Sequence, residues 1–174
     1  MQPDLENLKR RVGESKDLVD RVIDKLPGYT GYVEKGELYE ADRVVRGFVA
    51  AKLLDCKTHV NEAIKLESKK GSMENLTELE SINTLLEKAH KKCAYAEFGR
   101  SASSSKVNPS SEEMTRVIEF DWRMIAKANE LETEIAKLPS SGENVVAEIA
   151  RIRTLISDFE KEFDQRKNIV LEVI

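Results

Sequence analysis

Residues 145–170 read VVAEIARIRTLISDFEKEFDQRKNIV, and within them Val145, Ile149, Ile152, Ile156, Phe159, Phe163 and Val170 recur at spacings of four and three or their sum. That period places one apolar stripe along a helix and leaves charged residues on the remaining surface. Arg166 alone interrupts the stripe. A helix patterned this way must bury its stripe against neighbours, so this segment predicts a helical bundle and asks the rest of the chain to supply the other helices.

Working outward, the chain supplies them. Ser140 and Glu143 precede this helix as a capping box, in which the serine oxygen accepts from a free backbone N–H and the glutamate reaches back to the cap. Upstream, Met114, Val117, Ile118, Trp122, Ile125, Ala128, Leu131 and Ile135 form the stripe of another helix, opened by a second box at Ser110 and Glu113 and closed at Leu138-Pro139. Leu79, Ile82, Leu86, Ala89, Cys93 and Ala96 mark a third stripe. Before it, Leu38, Ala41, Val45, Phe48, Val49, Leu53, Cys56, Val60 and Ile64 mark a longer one that stops at Gly71-Ser72. Gly47 lies inside that helix, where it costs about 1 kcal/mol relative to alanine, and close approach of another helix is the expected reason for it. Leu5, Leu8, Val12, Ser15, Val19, Val22 and Leu26 make a heptad seam at the start of the chain.

The expected fold is therefore all-α: an elongated antiparallel helical bundle or coiled coil of about five helices, at about residues 4–26, 34–70, 73–98, 111–138 and 142–172 of a single domain. No strand pattern competes. Between residues 99 and 110, serines and a proline replace the apolar repeat, which predicts a flexible surface loop. Unequal helix lengths would leave seam exposed and favour a homodimer.

Composition narrows the function classes. The chain has 174 residues, 34% of them charged and 6% aromatic, with a net charge of −4. That balance suits long helices, and 40% hydrophobic residues are too many for disorder. Residues 1–26 carry six acids and six bases, and residues 101–174 carry fourteen acids against ten bases. Without a basic stripe, nucleic acid is not an expected partner. No apolar run approaches the roughly 20 residues of a bilayer span, and the N-terminus is not patterned as a signal peptide, so a cytoplasmic protein is expected.

Chemical motifs are sparse. Phosphate-binding glycine loops and a nucleophile elbow are both missing from the sequence. Glu87 and His90, as Glu-x-x-His, put a carboxylate and an imidazole on one helical face, as di-iron bundles do in duplicate. Only one such motif is present. His59 is the nearest second imidazole, and a hairpin about Gly71 separates it from His90 by roughly 12 Å along the axis. The same arithmetic separates Cys56 from Cys93, so both are expected as free core thiols. The alternative of a metal-dependent four-helix-bundle enzyme rests on Glu87 and His90 alone; no cofactor is expected.

The segment Leu26-Pro27-Gly28-Tyr29-Thr30-Gly31-Tyr32-Val33-Glu34-Lys35 is built differently, with two of the eight glycines and two of the four tyrosines. Its bland reading is a helix terminator whose tyrosines pack over the bundle end. The sharper one is a partner or ligand surface. Asp42 and Arg46, just downstream, are spaced for an i, i+4 ion pair.

These residues carry a resemblance. Leu26-Pro27-Gly28-Tyr29, Gly31-Tyr32, Glu34-Lys35 and Glu40-Ala41-Asp42-Arg43 are similar to a Leu-Pro-Gly-Tyr-x-Gly-Tyr turn leading into a Glu-Ala-Asp-Arg helix in uncharacterised helical proteins of bacteria and archaea. Ala94-Tyr95-Ala96-Glu97-Phe98 and Glu119-Phe120-Asp121 resemble a Gly-Tyr-Ala-Gly-Phe segment and a Glu-Phe-Asp helix of the same proteins. Cys93, Glu97-Phe98 and the serine-rich loop depart from that pattern. The resemblance covers about residues 26–46 and 93–121, and it implies a helical bundle without implying an activity. It directs attention to Tyr29, Tyr32, Tyr95 and Phe98, expected together at one end of the rod with Arg43 and Arg46 beside them. The expected role is a non-enzymatic scaffold or protein-interaction module.

Overall fold

The computed structural model describes residues 26–34, 38–96, 111–140 and 145–173. Five α-helices follow in order: α1 (Tyr29–Glu34), α2 (Leu38–Lys70), α3 (Met73–Ala94), α4 (Ser111–Ile135) and α5 (Val145–Val173), with a 3-10 turn at Leu138–Ser140. There is no strand among the described residues. The heptad seam at residues 4–25, the loop at 99–110 and the two serine caps' partner geometry lie outside the described residues or their described side chains.

Helices α2 to α5 form an all-α bundle in which α2 neighbours α3 and α4, while α5 neighbours α3 and α4. Cross-helix pairs fix the directions. Lys57 with Glu87 and Asn61 with Asn83 run in opposite order along α2 and α3, so the pair is an antiparallel hairpin. Arg123 with Glu162 and Arg151 with Glu134 make α4 and α5 antiparallel as well. Glu78 with Arg153 and Lys92 with Asp164 run in the same order, so α3 is parallel to α5, and α2 is therefore parallel to α4, which it meets through Lys52 and Glu132. Thus α2 and α5 occupy opposite corners of the bundle, as do α3 and α4.

The stripes read from the sequence for α2, α3, α4 and α5 face this core. Leu53, Leu79, Ile82, Leu86, Ile125, Leu131, Ile135, Ile152, Ile156, Phe159 and Phe163 are all essentially inaccessible to solvent. Such side chains each contribute about 1.5–3 kcal/mol relative to exposure, so the stripes supply the main driving force for assembly. Among the described residues no helix is long and apolar enough to cross a membrane.

The turn between α2 and α3 follows from one glycine. Gly71 has a φ of +77°, the left-handed conformation that closes many helices, and its N–H donates to the carbonyls of Glu67 and Ser68 at 3.1 and 3.2 Å. Glu67, almost fully buried, then accepts from Asn75 at 2.8 Å and from Lys70 at 2.5 Å, clasping the start of α3 to the end of α2. Ser72 makes no side-chain cap.

Three expectations need correcting. The segment after Leu26 is not only a connection: it turns at Gly28, with a positive φ, into the short helix α1. Helix α3 stops at Ala94, short of residue 98, and α4 stops at Ile135, where the backbone tightens into the 3-10 turn ahead of residue 141. Among the described residues Gly47 meets no neighbouring helix: nothing lies within 4 Å of where its Cβ would stand, because it points away from the core.

Candidate functional site

Arg166, the one break in the stripe of α5, is 1% exposed. It stays in register with Phe159 and Phe163, so the helix delivers its guanidinium straight into the core. Two carboxylates receive it. Nε and Nη2 reach Oδ1 of Asp121 at 2.6 and 2.5 Å, and Nη1 donates to Oδ1 of Asp42. Asp121 lies three residues after Ile118 and four before Ile125, which puts it on the buried stripe of α4. Asp42 is buried beside Ala41 and Val45 on α2.

The chain of contacts continues in both directions. Oδ2 of Asp42 accepts from Arg46 Nε at 2.6 Å, and Arg46 Nη1 donates to the carbonyl of Cys93 at 3.3 Å. Oδ2 of Asp121 accepts from the Tyr29 hydroxyl at 2.6 Å. One polar cluster therefore joins α1, α2, α3, α4 and α5. Its two acids and two bases balance, which is the condition under which charges persist without water.

Tyr29 is placed by the turn before it. Leu26 is buried, its carbonyl accepts from the Tyr29 N–H at 3.1 Å, and Gly28 adopts a φ of +85°. The carbonyl of Gly28 then accepts from the Tyr32 N–H at 3.0 Å. A Cβ on Gly28 would stand 3.1 Å from the Tyr32 ring, so glycine is required both for the backbone and for the close ring. The ring of Tyr29 consequently enters the bundle end while its hydroxyl finds a partner, as a buried phenol requires.

Burial raises the Tyr29 hydroxyl well above its ordinary value of 10.0, and the charge of Asp121 together with its hydrogen bond adds to the effect. Burial also pushes the Asp121 carboxyl upward, against the opposing pull of Arg166 and of the tyrosine hydroxyl. Both of its oxygens accept hydrogen bonds, the geometry of an ionised carboxylate. Burial alone would lower Arg166, but Asp121 and Asp42 outweigh it and hold the guanidinium above its ordinary range.

Five of the six residues singled out from the sequence separate into different environments at one end of the bundle. Tyr29 and Arg46 belong to the buried cluster. Tyr32 packs on the edge of the core. Arg43 is exposed and pairs with Glu40 at 3.2 Å. Tyr95, at the C-terminal cap of α3 with its N–H on the Lys91 carbonyl at 3.0 Å, is 73% exposed. Phe98 lies outside the described residues. The i, i+4 pair of Asp42 with Arg46 is present, but inside the core rather than on a solvated first turn. Asp121 and Arg166 were missed as site residues, although each occupies a position on an otherwise apolar stripe. A lone acid and a lone base at such positions are the signal that pairs them.

The metal-site candidates are engaged elsewhere. Glu87 pairs with Lys57 and, at 3.1 Å, with Lys91, which together draw its carboxyl down to about 2. His90 sets Nδ1 3.0 Å from the carbonyl of Ala50, and His59 lies 3.5 Å from Glu62. Among the described residues, no group of three or more His, Cys, Asp or Glu is arranged to hold a metal ion. Cys56 and Cys93 are free and buried, and burial pushes both thiols up to about 12. Cys93 stands level with Arg46, ten residues from Cys56 along α2, or about 15 Å.

Comparison with protein families, with curated proteins and with solved structures finds no match to the chain.

Proposed function

We propose that the protein is a non-enzymatic helical scaffold, a module that docks a protein partner or a second copy of itself as a homodimer. The supporting observation is the closure of the polar cluster. Tyr29, Asp42, Arg46, Asp121 and Arg166 carry the chemistry that would ordinarily suggest a reactive site, yet they face one another across the core and hold five helices in one arrangement. What this end offers to solvent instead is Tyr95, Arg43 paired with Glu40, and Tyr39 at 43% exposure.

Exposed tyrosines flanked by an arginine are the residue types that anchor protein interfaces, because they add contact area at small entropic cost. Docking would be helix to helix, with the aromatics as anchors and the flanking charges setting register. The cytoplasm belongs to the same reading, since two reduced cysteines sit in the core.

Light scattering over a concentration series tests it. The mass is expected to rise from 19.7 kDa toward a dimer. Tyr95→Ser with Arg43→Glu should weaken that rise. A strict monomer at every concentration removes the homodimer, and a stoichiometric transition metal in the purified protein replaces the whole reading with the Glu87 and His90 alternative.

A further inference from the structure

Helix α2 stands at a corner of the bundle, between α3 and α4, and turns one face away from both. Glu40, Gly47, Ala51, Leu54, Thr58 and Lys65 fall on that face, within about 60° of one another around the helix. Leu54 is 51% exposed, the Glu40 side chain is 33% exposed, and the other four are exposed. Their steps along the chain are seven, four, three, four and seven, which read the same in both directions. The charges do not: a carboxylate closes one end of the line, an ammonium closes the other, and the four residues between them are uncharged. Arg43 stands off the line toward α3, and Asp55 and Glu62 stand off it toward α4.

A line that is symmetric in spacing and opposite in charge at its two ends is complementary to itself turned end for end. We propose that this face of α2 is the interface for a second copy of the chain, with the two α2 helices antiparallel about a two-fold axis between Ala51 and Leu54. Glu40 is then level with Lys65 of the second copy, Gly47 with Thr58, and Ala51 with Leu54, and each pairing occurs twice. The two charged pairs close the seam about 37 Å apart, and the uncharged residues between them lose water together. Among the described residues nothing lies within 4 Å of where a Cβ on Gly47 would stand, which leaves room there for the threonine. A parallel pair in register sets Glu40 on Glu40 and Lys65 on Lys65, so the charges select the antiparallel one. The inference rests on the homodimer reading above and extends the contact from the Tyr95 end along α2.

Charge reversal in the full chain tests it, read as the dimer dissociation constant from sedimentation or light scattering. Lys65→Glu sets two carboxylates against each other at both ends of the seam and should raise that constant about tenfold, as should Glu40→Lys. Combined in one chain, Glu40→Lys and Lys65→Glu face opposite charges again and should return it to within about threefold of the unmodified value. Leu54→Lys places an ammonium at the middle of the seam twice and should raise it at least about thirtyfold. All three positions reach solvent, so helix content and the thermal midpoint should stay close to those of the unmodified chain.

A dimer whose constant ignores these changes would overturn the α2 seam and leave the homodimer reading standing on the Tyr95 end alone. Single reversals that weaken the dimer with no recovery in the combined variant would also overturn the antiparallel pairing. A chain that stays monomeric at every concentration would overturn both, and would assign the face to another occupant.

Discussion

At the Tyr29 end of the bundle the core holds two carboxylates, two guanidinium groups and a phenol; about 20–30 Å further along α4 and α5 it holds Ile135, Val145 and Ile149. The same four helices pack in both places. Apolar contact has no direction, so this layer between the Tyr29 cluster and the Glu67 clasp can absorb a small shift of one helix past another. The Tyr29 end has no such freedom, because each oxygen of Asp42 and Asp121 has a designated donor. Apolar stripes supply most of the free energy, and the polar cluster specifies which helix faces which.

Breaking that contrast starts with Arg166→Met. It leaves Asp42 and Asp121 buried with no cation between them and is expected to destabilise the fold by about 3–5 kcal/mol in denaturant unfolding. Replacing Arg166, Asp42, Arg46 and Asp121 together by apolar residues, with Tyr29→Phe, should recover most of that loss. If the single change costs less than about 1 kcal/mol, the cluster does not hold the bundle end together.

Tyr29→Phe is milder, at about 1–3 kcal/mol, because only one carboxylate oxygen loses its donor. It also carries a pH signature. The folded Tyr29 ionises well above 10.0, so its contribution is complete below that pH and is lost as pH rises toward the folded value. Unfolding curves should therefore weaken with alkali more steeply in the unmodified protein than in Tyr29→Phe.

At the opposite end, Gly71→Ala forces a side chain into the left-handed region and should cost about 1–2 kcal/mol. A loss as large as that of Arg166→Met would erase the contrast between the ends.

The smallest effect is at the surface between them. Lys57 and Lys91 lower the Glu87 carboxyl to about 2, so its stabilisation is present above the ordinary carboxylate range and fades as pH falls from about 4.5 toward 2. Glu87→Gln should flatten the acid limb of stability slightly and leave the neutral value almost unchanged.

Much of this architecture can be read from spacing. The stripes of α3 and α5 are buried from Leu79 to Cys93 and from Val145 to Phe163 as their periods predict, because a helix fixes the face of each side chain from sequence alone. Periodicity does not say which helices become neighbours, so Arg166 read alone is a blemish in a seam and Asp121 goes unnoticed beside Trp122. The partner of Arg166 becomes visible only when α2, α4 and α5 are brought together. The same gap hid the role of Tyr29: its turn was legible as a terminator, but a ring entering the core to meet Asp121 depends on where α4 lies.

The bond between Asp42 and Arg166 spans 124 residues. On a growing chain, the α2–α3 hairpin has only local contacts to make and can form early, while Asp42 and Asp121 must wait for α5 to be synthesised. Until then those carboxylates have every reason to remain hydrated. The polar cluster of the Tyr29 end therefore cannot be complete before Arg166 has been synthesised.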